Sequence, residues 1–185
     1  MIPRAVRWAA LAWLAAWLPL HLVAYPPWTL LWWCGHGAIL TVIGLVLGRR
    51  LLLSWQAVAL LVPQTLYVAD ALARLVTGAR GGGTSYLFDA SVPWPVRALS
   101  SFHFAMPVVL VWAVRRLGYD RRALPVQVVA GTVVGLVSLA FGAINAWALP
   151  AARAHVAATL ILTPLVLWLP ADAVLRRVAP DRGAG

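Results

Sequence analysis

The chain has 185 residues, of which 63% are hydrophobic and 11% charged, with a formal net charge of +10. A soluble domain of this length needs a far more polar surface, so soluble enzymes and soluble binding modules are excluded. Every cation is arginine and every anion aspartate, and many of the arginines stand in pairs at the ends of apolar runs. That pattern belongs to membrane topology and anionic headgroups, and argues against nucleic acid as a partner.

Apolar runs of about 20 residues, long enough to cross a hydrocarbon core as a helix, recur along the whole chain. They predict an all-α fold, a polytopic bundle of six transmembrane helices forming one domain over residues 1–185. The first span covers about 5–24. Arg4 and Arg7 ahead of it imitate a signal peptide, but "HLVAYPP" offers no small-x-small cleavage site, so the span is expected to remain. Tyr25-Pro26-Pro27 breaks it from the second, at about 28–48. Arg49-Arg50 makes a tight turn into the third, at about 51–76.

Residues 77–95 form the one substantial loop, "TGARGGGTSYLFDASVPWP". It is glycine-rich, but it lacks the Lys-Ser/Thr ending and the strand-to-helix setting of a phosphate-binding loop. The fourth span is expected at about 96–117, and "GYDRR" follows, with Asp120 capping the fifth at about 123–149. Pro150 separates the fifth from the sixth, at about 152–175.

Under this topology eleven arginines fall on one side: Arg4, Arg7, Arg49, Arg50, Arg115, Arg116, Arg121, Arg122, Arg176, Arg177 and Arg182. Only four, Arg74, Arg80, Arg97 and Arg153, fall on the other. The positive-inside bias therefore predicts cytoplasmic N and C termini and an outward loop 77–95, in a cell membrane expected to be a bacterial inner membrane.

Each span then brings a polar group to the outer third of the membrane: His21; Cys34 and His36; Asp70; Ser100, Ser101 and His103; Asn145; and His155. The inner halves are mostly Leu, Val and Ala. Helical phase sorts these groups. Gln56, Leu60, Pro63, Tyr67, Asp70 and Arg74 share a face of the third span, where Asp70 and Arg74 stand as an i,i+4 pair. Gly131, Gly135, Ser138, Gly142 and Asn145 form a small-residue stripe on the fifth, suited to close helix approach. On the fourth, Ser100, His103 and Pro107 line up, and Pro107 has no N–H for the His103 carbonyl.

The segment "WWCGHG" (32–37) holds the chain's one cysteine. Residues two apart on a helix point about 200° apart, at 3.6 residues per turn. Cys34 therefore joins Gly37, Thr41, Gly44 and Gly48 on a packing face, while His36 turns toward a neighbour or the headgroups. Trp32 and Trp33 fit an aromatic belt.

One reading of this layer is an outer-leaflet pocket acting on a lipid or acyl substrate. His103 is the base, Cys34 the nucleophile, and Asp70 and Asn145 orient or polarise, with Ser100 as the alternative nucleophile one turn before His103. A second is non-catalytic, a scaffold, lipid-binding module or small-solute conduit, with Cys34 packing and the polar groups cementing helices. A third is a metal or haem redox protein using His21, His36, His103 and His155. No HxxxH, HxxE or CxxC pair fixes a chelate, so neither metal nor cofactor is expected. Membrane lipids and a lipidic or small-molecule ligand are the partners anticipated.

The segment "SFHFAMPVVLVWAVRRLGYDRRAL" (101–124) resembles that of small bacterial six-span proteins described only as membrane-associated. In general plan the chain is also similar to the androgen-induced-gene family of intramembrane hydrolases and to related transmembrane acyltransferases. Those families place a Thr or Cys nucleophile on an early helix and a His on a later one. The resemblance implies Cys34 as nucleophile and His103 as base.

Overall fold

The computed structural model describes residues 1–78, 83–140 and 162–179. These residues are helical or in turns, with no strand among them. Asn145, His155, Arg80, Arg153 and Gly142 lie outside the described residues, as do the end of the fifth expected span and the start of the sixth.

Among the described residues seven α-helices follow in chain order: α1 Arg4–Ala24, α2 Trp33–Leu47, α3 Arg50–Thr77, α4 Trp94–Leu99, α5 Phe102–Leu117, α6 Ala123–Ala140 and α7 Leu169–Val178. Three stretches among the described residues are long and apolar enough to cross a membrane: Arg4–Ala24, Arg50–Thr77 and Trp94–Leu117. Trp33–Leu47 and Ala123–Val137 are shorter apolar helices. Leu66, Leu75, Val76, Val108, Val129 and Val133 are all more than half exposed. A stripe of bare aliphatic side chains is costly in water and suits lipid tails. This is the surface of an integral membrane protein.

Two expected spans are less regular than their apolar runs suggest. The second opens as a 3₁₀ turn, Pro27–Leu31, and Trp32 is extended (φ −59°, ψ 138°) before α2 begins. Consecutive prolines at 26 and 27 withhold two N–H groups there, which favours a short, tight turn. The fourth tightens at Ser100-Ser101 between α4 and α5. Ser100 and Ser101 N–H donate three residues back, to the Arg97 and Ala98 carbonyls, and His103 N–H donates to the Ser100 carbonyl. Serine competes with the helix backbone for hydrogen bonds, so two in a row tolerate this tightened geometry well.

α3 is the hub, packed against α2, α5, α6 and α7. At about 1.5 Å per residue it is roughly 42 Å long, more than the ~30 Å hydrocarbon core. Its last turns, carrying Asp70 and Arg74, therefore reach the membrane margin. Gln56, Leu60, Pro63, Gln64 and Tyr67 are buried on its inward face. The small-residue face of α2 lies against it, where a Cβ on Gly37 would stand 2.7 Å from the Leu60 side chain and one on Gly44 2.9 Å from Leu53. These contacts bring the two helix backbones close, the gain that glycine offers where lipid gives no hydrophobic drive.

The described arginine-rich helix ends gather at one end of the bundle. Gly48 lies beside Arg7, Arg116 Nε donates to the Met1 carbonyl, and Arg50 faces Asp120 at 3.9 Å. The loop 118–122 is the clasp of that end. Asp120 N–H donates to Ser54 Oγ on α3, and its carboxylate takes the Arg122 guanidinium and the Arg122 N–H ahead of α6. Tyr119 Oη donates to Asp172 on α7, which also pairs with Arg176. Ahead of α7 a single π-turn, Pro164–Trp168, carries Trp168 into the core against Trp33 and Gly131.

The glycines of α6 separate into two kinds. A Cβ on Gly131 would stand 2.5 Å from the buried Trp168 ring and 2.6 Å from Gln127 Nε2, whereas one on Gly135 meets nothing within 4 Å. Gly131→Ala is expected to lower stability by about 1–3 kcal/mol through overpacking. Gly135→Ala, one turn away, is expected to be neutral or to gain up to ~1 kcal/mol of helix propensity. Thermal melts in detergent compare the two; equal effects would contradict the packing described.

The clasp also sets a pH window. The hydrogen bond from Arg122 holds the Asp120 carboxyl below its ordinary value of 3.8. Burial, then the bond to Asp172, pushes the Tyr119 hydroxyl above its ordinary 10.0. A depressed acid contributes stability above its unfolded pKa and loses it as pH falls through the folded one. For the tyrosine the contribution is present below its unfolded pKa and is lost as pH rises toward the folded value. Melting temperature is therefore expected to fall on both sides of a plateau from about pH 4 to pH 10. An alkaline decline already under way at pH 8 would contradict the Tyr119 assignment.

Candidate functional site: a histidine-centred polar cluster

At the opposite end of the bundle, α3, α4, α5 and the loop before α4 meet around His103. The ring is clamped from two sides, stacking on Tyr67 at 4.1 Å and on Phe102 at 4.2 Å between centroids. Nδ1 is hydrogen-bonded to Gln64 Oε1 on α3. An amide oxygen only accepts, so Nδ1 carries the proton and the neutral ring leaves its lone pair on Nε2. No hydrogen bond engages Nε2 among the described residues, and the residue keeps 8% of its surface exposed.

A second chain of hydroxyls lies beside the ring. Tyr86 Oη donates to Ser100 Oγ at 2.7 Å and lies 2.7 Å from Tyr67 Oη. Tyr86 has a single proton, so Tyr67 must be the donor between the two tyrosines. The order is Tyr67 to Tyr86 to Ser100, and the Ser100 proton is left to point elsewhere. Tyr86 belongs to the short 3₁₀ turn Ser85–Phe88, which folds the loop back onto α3. The 3₁₀ tightening at Ser100-Ser101 puts the serine and the imidazole on successive turns beside Tyr67.

Asp70 stands apart from the imidazole, whose ring nitrogen bonds Gln64. Its carboxylate takes both Nε and Nη2 of Arg74 at 3.0 Å, as well as the Thr84 N–H and hydroxyl. It fastens the loop to the top of α3, and so holds Tyr86 in place at one remove. Arg97 adds a longer contact to the Leu87 carbonyl at 3.4 Å.

Cys34 is half-buried against the apolar core. The hydrogen bond of His103 goes to Gln64, not to Cys34. His36 is partly buried, its Nδ1 enclosed and without a hydrogen-bond partner among the described residues. His21 is buried, stacked on Trp17 at 4.6 Å, with Nε2 2.9 Å from Thr29 Oγ1. That hydroxyl gives its proton to the Pro26 carbonyl, so His21 Nε2–H is the donor and the ring ties α1 to the 3₁₀ turn. Trp17 reaches Phe102 edge-on at 5.6 Å, which joins the His21 and His103 stacks into one aromatic wall.

Among the described residues no three His, Cys, Asp or Glu side chains converge in a way that could hold a metal ion. Gln64, Phe102, Thr84 and Tyr86 belong to the cluster and were not expected from the sequence. Gln64 lies four residues after Leu60 and three before Tyr67, so its inward phase was available. Tyr86 sits in a glycine-rich loop with no periodicity to give its direction.

No family model matches the chain, and neither a curated protein nor a solved structure is similar to it.

Proposed function

We propose that this is a membrane-embedded enzyme acting on an acyl ester of a lipid, by hydrolysis or acyl transfer, in a bacterial inner membrane. The arginine-rich end, with both termini, lies in the cytoplasm, and the loop end with the His103 cluster lies in the outer leaflet. The observation that carries this reading is a fixed base lying three residues from a prepared hydroxyl, with Tyr67 stacked on the one and linked through Tyr86 to the other. Gln64 holds His103 so that Nε2 is the free acceptor, and Tyr86 donates to a serine whose own proton is uncommitted. Ser100 therefore displaces Cys34 as the first choice of nucleophile.

In this mechanism Ser100 Oγ attacks the ester carbonyl as its proton passes to His103 Nε2. The Tyr86 hydroxyl steadies the charge developing on the serine oxygen. Collapse of the tetrahedral intermediate breaks the ester C–O bond, and the leaving alcohol takes the proton back from His103. Water, or a second hydroxyl in the transfer case, then attacks the acyl-serine with His103 again as base. Asp70 acts only by holding the loop that carries Tyr86. The general plan is that of the intramembrane hydrolases and acyltransferases named above, with serine where they place Thr or Cys.

The test is covalent labelling by a lipophilic fluorophosphonate in membranes, with the modified peptide mapped. Label is expected on Ser100, lost in Ser100→Ala, retained in Cys34→Ala, and reduced roughly 10²–10⁴-fold in His103→Ala. Label on Cys34 by a thiol-directed acyl probe, with none on Ser100, would restore Cys34 as nucleophile. Absence of label, joined to unchanged acyl lipids in cells expressing His103→Ala, would reduce the cluster to helix cement and favour the non-catalytic reading.

A further inference from the structure

At the other end of α5 from His103, α3 and α5 enclose a groove of about 900 Å³ that opens to the outside of the bundle. Its apolar lane is formed by Leu61 of α3 and by Val108, Val111 and Trp112 of α5. Val108 is 69% exposed, so the lane is open to a chain lying alongside the protein. The lane ends at Arg115 and Arg116. From Val108 to Arg116 the helix rises about 12 Å at ~1.5 Å per residue, so the apolar and cationic parts belong to one continuous track.

The cationic end is held in place. Arg116 Nε donates to the Met1 carbonyl at 2.7 Å, and its guanidinium carbon lies 5.9 Å from the centre of the Trp112 ring. Its terminal nitrogens have no protein partner among the described residues, and Arg115 is exposed without one. Asp120 and Asp172, the acids of this end among the described residues, are engaged by Arg122, Arg50 and Arg176. Two uncompensated guanidinium groups at the end of an apolar lane match a phosphate bearing an acyl chain.

We propose that this groove is a binding site for an anionic glycerophospholipid. One acyl chain lies along Val108, Val111 and Leu61, and the phosphate sits between Arg115 and Arg116. A zwitterionic lipid brings its own ammonium group against the arginines and binds less well. The site does not depend on the chemistry at His103.

Native mass spectrometry and thermal melts of the full chain, with phosphatidylglycerol or phosphatidylcholine added, test the proposal. Wild type is expected to retain phosphatidylglycerol with a roughly 10- to 30-fold preference, the effect of two arginines at a membrane surface. Arg115→Gln/Arg116→Gln is expected to lose the preference. Val108→Trp fills the lane with both charges intact, and is expected to lose retention while melting like wild type without lipid. Arg49→Gln/Arg177→Gln removes two exposed cations elsewhere and is expected to keep the preference. Equal retention of both lipids, or an equal loss in the two arginine pairs, would overturn the site in favour of diffuse charge. Undiminished retention in Val108→Trp would overturn it as well.

Discussion

The hydrogen bond from His103 to Gln64 is the interaction on which the loop end of this bundle turns. It joins the hub helix α3 to α5 between two buried side chains, so leaving either partner alone is costly. It also selects the tautomer of the ring and, with Tyr67 and Phe102 on its faces, the direction of the free nitrogen. Geometry and protonation are thus set together. A buried imidazole without such an anchor would rotate between tautomers, and its lone pair would have no fixed address.

The two ends of the molecule solve the same problem in different ways. At the arginine-rich end, Asp120 and Asp172 are each matched by arginine and draw the loop 118–122, α3 and α7 together. At the loop end, neutral groups share protons through directed chains, and an ion pair, Asp70 with Arg74, stands at the rim where α3 leaves the apolar core. Between them the bundle is apolar and close-packed, with glycine admitting Leu60, Leu53 and Trp168 against neighbouring backbones.

Much of the fold was legible because it rests on periodicity and on residues with strict geometry. The prolines at 26 and 27 marked a break, the stripe from Gln56 to Tyr67 gave the buried face of α3, and Gly37 and Gly44 gave the contact face of α2. Asp70 and Arg74 pair as their spacing allows. The features that escaped depend on tertiary context. Hydropathy treats residues 96–117 as one run, but two serines and a folded-back loop tighten it at the position that matters. The π-turn that drives Trp168 inward leaves no mark on an apolar sequence. Tyr86 lies in a loop whose glycines announce freedom and say nothing of direction. His103 was visible as an ionisable group in a span, whereas its partner Gln64, an uncharged amide, drew no notice.

The most direct measurement is the tautomeric state of His103 by ¹⁵N NMR on histidine-labelled protein in lipid. A neutral ring is predicted, protonated at Nδ1 with Nε2 bare, changing to a tautomer mixture in Gln64→Leu. A ring protonated at Nε2, or an imidazolium at neutral pH, would contradict the account, because Nε2 would then have no lone pair with which to accept a proton.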